Sequence, residues 1–212
     1  MTFDFRQQFT AATNYSDEHF AAFLLQADPL FGKLSSVQRK QIISGATQCG
    51  LDTARMLRER FASAPPSEIA GLVGLKIVSG ETGRMLLSAY DPTAGSITLY
   101  RNSMLKVKQF LRAENLLPAF DPEELAIAHE LFHHCENENP EIFSRRFKVT
   151  LWRFGPIENR SAVSAASEIA AASSAKSLCR LGFNPTLLEP IILRCSGAEN
   201  VEAWFCRLGQ IG

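Results

Sequence analysis

Pro122-Glu-Glu-Leu-Ala-Ile-Ala-His-Glu-Leu-Phe-His-His-Cys135 reads as one buried helix that carries reactive side chains. Asp121 is placed to cap it, Pro122 suits its first turn, and Glu123 and Glu124 complement the positive end of its dipole. Leu125, Ile127, Ala128, Leu131 and Phe132 cover most of its circumference, and a helix apolar on nearly every side belongs in an interior. His129 and His133 stand four residues apart, which separates them by about 40° around the axis and about 6 Å along it. Both imidazoles can therefore reach one metal ion. Glu130, one residue on, is aimed beside that ion, where it can hold a proton. The pattern is H-E-x-x-H, and two imidazoles with a carboxylate are expensive to bury without a partner such as a metal.

A catalytic zinc site takes three protein ligands and leaves a fourth position for water. No third histidine follows at the H-x-x-G-x-x-H spacing, so the third ligand is expected from another element. Glu168 is the best candidate. It is the only acidic residue between Glu158 and Glu189, and the alanines and serines around it allow close helix–helix approach. Glu136, Glu138 and Glu141 are weaker rivals, expected in a solvated turn just after the motif. Nitrogen-rich ligation favours Zn2+ as the ion. Zinc lowers the pKa of water toward about 7, and Glu130 would act as general base. Tyr90, Tyr100, Arg145, Arg146 and Arg160 are all candidates to stabilise an oxyanion. His134, five residues from His129, points off the ligand face and suits a supporting role. His19 stands alone in the first helical region, at the surface or the edge of the core.

Outward from this helix the chain alternates helical and strand-like patterns. Ser16 is placed to cap a helix carrying Phe20, Phe23, Leu24 and Leu25. A second helical stretch runs from Ser36 to Phe61, with Gly45 and Gly50 as points of division, because each glycine costs about 1 kcal/mol inside a helix. Pro66 suits the first turn of a short helix. Strand-like segments follow at Leu75–Val78, Met85–Tyr90 and Ser96–Arg101. The last two flank Asp91-Pro-Thr-Ala-Gly95, which has the early proline and late glycine of a hairpin loop. Helices are expected again over 102–115, 161–181, 186–195 and 198–208. Between them, 137–160 forms a long mixed connection in which Phe147, Val149 and Leu151 alternate as on a strand or flap.

The 212 residues carry 22 basic and 22 acidic side chains, so no broad field draws the chain to nucleic acid or an anionic membrane. Five dispersed cysteines without a CxxC pair fit a reducing compartment and are expected to be mostly small buried hydrophobes. The N-terminal stretch Met-Thr-Phe-Asp-Phe-Arg lacks the pattern of a signal peptide, and no apolar run approaches the roughly 20 residues of a membrane span. Cytoplasm is the expected location.

The chain resembles the zincin metallopeptidases of the glutamate-ligand kind, and more closely the minimal ImmA/IrrE-like peptidases, over roughly residues 53–185. The likeness lies in Pro66–Val78, the hairpin Ala89–Tyr100, the Ala128–His133 motif and a later E-x-x-A at Glu168–Ala171. The chain departs from that family at Ala172, where asparagine is frequent, and at Asn184-Pro185, where the family commonly has Met-Pro. The resemblance implies an α+β, mostly helical zincin-like domain with a small three- to four-stranded sheet. Residues 1–64 would form an N-terminal helical layer and 65–212 the metallopeptidase core. It also implies that the strand near Ile97–Arg101 is a sheet edge that pairs with an extended peptide or protein substrate. The expected activity is zinc-dependent peptide hydrolysis with His129, His133 and Glu168 as ligands; the alternative is a zinc-stabilised interaction or sensing module without turnover.

Overall fold

In the computed structural model the described residues are 3–211; Met1 and Thr2, which begin the N-terminal stretch considered above, and Gly212 lie outside them. Helices α1 (Phe5–Ala12), α2 (Asp17–Gln26), α3 (Ser36–Phe61) and α4 (Pro66–Leu72) come first. Ser16 caps α2 by accepting from the His19 amide, as its position suggested. Ser35 and Gln38 form a reciprocal capping box at the start of α3. The two glycines do not divide α3, which runs unbroken for 26 residues. The reason is packing. A side chain at Gly45 would run into the Phe143 ring, and one at Gly50 into the Ala170 carbonyl oxygen. Each glycine gives up about 1 kcal/mol of helix propensity to let a neighbour approach.

Strands β1 (Lys76–Gly80), β2 (Ser88–Asp91) and β3 (Ser96–Tyr100) form a three-stranded sheet in the order β1-β3-β2. The β2–β3 hairpin turns through Pro92–Gly95. The Asp91 carboxylate accepts from the Thr93 and Ala94 amides at 2.8 and 3.0 Å, and Gly95 supplies the positive φ of 59°. β2 starts at Ser88 rather than Met85. One expectation is overturned here. β3 lies at the centre, parallel to β1 and antiparallel to β2, so it has no free edge for a peptide. The burial of Ile97 on β3, 0% exposed, explains its place: it is the strand the core covers best.

Helix α5 (Arg101–Glu114) leads through the left-handed Asn115 to α6 (Pro122–Glu138), the helix of the motif, which continues three residues beyond Cys135. Asp121 caps it by accepting from the Glu123 amide. Leu125, Ile127, Ala128 and Leu131 join one hydrophobic cluster and Phe132 a second, so α6 runs between two cores. The long connection contains α7 (Phe143–Arg146) and a separate hairpin of β4 (Lys148–Phe154) and β5 (Ile157–Ala162). Because β5 extends to Ala162, helix α8 (Ser164–Leu178) starts later than 161. Its capping side chain is remote in sequence. Buried Asp28 accepts from the Ser164 hydroxyl and the Ala165 amide at 2.8 and 2.9 Å. A 3-10 turn, Pro185–Leu187, precedes α9 (Leu188–Cys195), and α10 (Val201–Gly209) is the last described helix.

The fold is α+β and mostly helical. Among the described residues no helix is long and apolar enough to cross a membrane. His19 sits at a core edge, stacked on Tyr15 and bonded to the Leu208 carbonyl at 2.8 Å, which ties α2 to α10. All five cysteines are free, but only Cys49 is buried; Cys135, Cys179 and Cys195 are part-buried and Cys206 is exposed. Burial pushes the Cys135 thiol up to about 11 and the Cys179 thiol to about 12, so neither is a thiolate near neutral pH.

Candidate metal centre

The helical spacing of His129 and His133 turns both rings to one side of α6, with their Nε2 atoms 3.1 Å apart. Helix α8 supplies the third group. Glu168 Oε2 lies 3.4 Å from His129 Nε2, and Glu168 Oε1 lies 3.8 Å from His133 Nε2. One donor atom from each residue falls within 4.8 Å of the others. Zinc with bonds of about 2.0–2.2 Å holds adjacent tetrahedral donors about 3.3–3.6 Å apart. The three separations bracket that edge, and two imidazoles with one carboxylate are a donor set zinc accepts. The residues present fit the ion. Glu168 remains half exposed, 53% by side chain, so the cluster has an open side.

The electrostatics are those of groups drawn together. The hydrogen bond from His129 holds the Glu168 carboxyl below the usual carboxylate range, against the opposing effect of burial. Burial pushes the His129 imidazole down, yet Glu168 and Glu130 raise it above its ordinary value overall.

Around the cluster, α6 supplies more than the motif. Glu136 follows His133 by three residues, and its Oε2 lies 3.4 Å from His133 Nδ1. The Ser167 hydroxyl, on α8 beside Glu168, donates to the same oxygen at 2.7 Å. A carboxylate that holds Nδ1–H fixes the ring and leaves the Nε2 lone pair facing the cluster. Glu136 therefore stands outside the three-residue cluster and is not part of a solvated turn: it is on the helix, 14% exposed, and holds the His133 ring. Glu138 and Glu141 are exposed and stand outside the cluster.

Glu130 is 7% exposed and accepts from the Ser88 hydroxyl at 2.7 Å through Oε1. Two residues along β2, the Tyr90 hydroxyl lies 3.1 Å from His134 Nδ1. Residues i and i+2 of a strand share a face and are about 6.6 Å apart, close to the roughly 6 Å rise between positions 130 and 134 of a helix. β2 thus lies along α6 in register, and His134, paired with Tyr90, stands outside the cluster. Tyr90 and Arg145 border a cleft of about 380 Å³ with His133 and Glu136. Arg145 is already engaged, donating to the Glu136 and Asn137 carbonyls at the end of α6. Tyr100, Arg146 and Arg160 do not line that cleft.

No family model, curated protein or solved structure matches the chain. The site is therefore read from its own geometry. Sequence reasoning named the three clustered residues and Glu130 but missed the supporting roles of Glu136, Ser167 and Ser88. The H-x-x-E spacing of His133 and Glu136 was an available signal. Nothing local marks Ser88 or Ser167, which are brought in by the sheet and by α8.

Proposed function

We propose that the protein is a zinc-dependent peptidase of the kind its motif resembles. The observation that carries this reading is the convergence of His129 Nε2, His133 Nε2 and a Glu168 oxygen at tetrahedral-edge separations, with the Glu130 carboxylate one residue away. A zinc ion bound there supplies Lewis acidity, both to water and to a scissile carbonyl. The chain's own groups do the rest. Glu130, held through Oε1 by Ser88, uses Oε2 to take a proton from the attacking water and passes it to the leaving amine nitrogen. Tyr90 is the hydroxyl best situated to donate to the developing oxyanion, since it borders the cleft and shares a face of β2 with Ser88. The unpaired edge of β2, rather than β3, is the side on which an extended peptide adds as a further strand.

The test separates this reading from that of a zinc-stabilised module without turnover. Zinc-loaded wild type is expected to cleave members of a broad peptide library. Glu130→Gln should keep one zinc per chain while losing roughly a hundredfold or more in rate. A zinc-loaded wild type that cleaves nothing, or a Glu130→Gln variant as fast as wild type, defeats the proposal.

A further inference from the structure

Beside the cluster lies a second cavity of about 320 Å³, which Tyr90 does not line. Its walls include Leu24, Leu86, Leu125, Ala172 and Ile192, and His129, Glu130 and Glu168 form one border. Among the described residues a single ionisable side chain outside the centre lines it: Glu189, in the first turn of α9. Glu189 Oε2 accepts from the Trp204 indole N–H at 2.8 Å. Its Oε1 has no hydrogen-bond partner among the described residues, and the residue lines the cavity. Arg207 on α10 offsets part of the charge and Glu168 opposes it, while among the described residues no Lys or Arg lines the cavity.

We infer that this cavity receives the substrate side chain next to the scissile bond, and that Glu189 selects a basic one, lysine or arginine; the inference rests on the peptidase reading. A long aliphatic stem suits the leucine and alanine walls, and its cationic head meets the free carboxylate oxygen. The volume accommodates one such side chain. Burial pushes the Glu189 carboxyl up, whereas an arriving ammonium favours its charged form, so the pocket is completed by its occupant. A neutral or acidic side chain leaves that oxygen unmatched or repels it.

Three peptide hydroxamates that differ only in the side chain test this: lysyl, norleucyl and glutamyl, titrated by calorimetry into zinc-loaded wild type and Glu189→Gln. In Glu189→Gln the side-chain amide still offers a carbonyl to Trp204, so the variant preserves the buried hydrogen bond. The lysyl compound should bind wild type at least about tenfold tighter than the norleucyl one, which lacks only the amine, and the glutamyl compound should bind weakest. Glu189→Gln should abolish the lysyl preference. Equal affinity of lysyl and norleucyl compounds for wild type overturns the inference, as does a preference that survives Glu189→Gln. Hydrolysis of the peptide library by the same preparation reports on the peptidase reading separately. If turnover is absent but the lysyl preference holds and needs Glu189, the pocket is cation-selective and only the peptidase reading falls.

Discussion

Helices α6 and α8 meet at the candidate metal centre, and they come to it by different physical routes. In α6 the geometry is local. Two imidazoles four residues apart share a face whatever the rest of the chain does, and Glu136 falls one turn beyond them by the same rule. In α8 the geometry is global. Glu168 sits among Ala165, Ala166, Ala170, Ala171 and Ala172, all buried, and nothing in that run dictates where its carboxylate goes. Its place depends on Gly50 of α3 admitting the Ala170 backbone and on Asp28 capping the first turn. The lesson is that one half of a site can be written in spacing while the other half is written in packing.

Substitutions can break that contrast or sharpen it. The largest effect is expected from His133→Ala, which should weaken zinc binding roughly a thousandfold in competition with a chromophoric chelator, because a structural share of the binding energy is lost with each ligand. An unchanged affinity would remove α6 from the account. Glu136→Gln comes next, with about a 10- to 100-fold loss of zinc affinity, since the ring of His133 loses its anchor. Lowering the pH from about 7.5 to about 5.5 should weaken zinc binding by at least about tenfold. The sign follows from His129: its imidazole is raised above the ordinary value in the metal-free protein, so protons occupy it as the pH falls and compete with the ion. Affinity that rises on acidification would contradict this.

The remote side of the contrast is tested by Gly50→Ala. Alanine normally favours a helix interior, but here its Cβ also lies 2.9 Å from Ser173 Cβ and from the Ser174 amide nitrogen, so the variant should lose about 1–3 kcal/mol of stability in denaturant unfolding. Zinc affinity should fall with it, although position 50 touches no ligand. If affinity is untouched while stability drops, the placement of Glu168 does not depend on that close approach. The smallest effect is expected from Ser88→Ala, which removes one hydrogen bond worth about 1 kcal/mol and should slow turnover severalfold with zinc binding unchanged.

The same division explains what could be read from the chain. The caps at Ser16 and Asp121, the Pro92–Gly95 turn and the buried face of α6 were legible because each is a short-range device. The continuity of α3 was not, since the space over Gly45 is filled by the Phe143 ring and that over Gly50 largely by the α8 backbone. The central position of β3 was likewise hidden: a hairpin pattern fixes the β2–β3 pairing but carries no information about the parallel partner β1. Glu168 was legible for a weaker reason, as a lone carboxylate in a stretch of small residues. Glu189 was not legible at all, because only the tertiary fold, with α9 packed on α5 and α10, brings it to a cavity that α6 and α8 also line.

The central claim is that His129, His133 and Glu168 jointly hold one divalent ion with a position left open. X-ray absorption at the zinc edge of the loaded protein tests it most directly. Two imidazoles and two oxygen donors at about 2.0–2.2 Å, with one zinc per chain and loss of an oxygen donor or of the zinc itself in Glu168→Ala, are the predicted result. A sulfur scatterer near about 2.3 Å, or a zinc environment unaltered in Glu168→Ala, would contradict it.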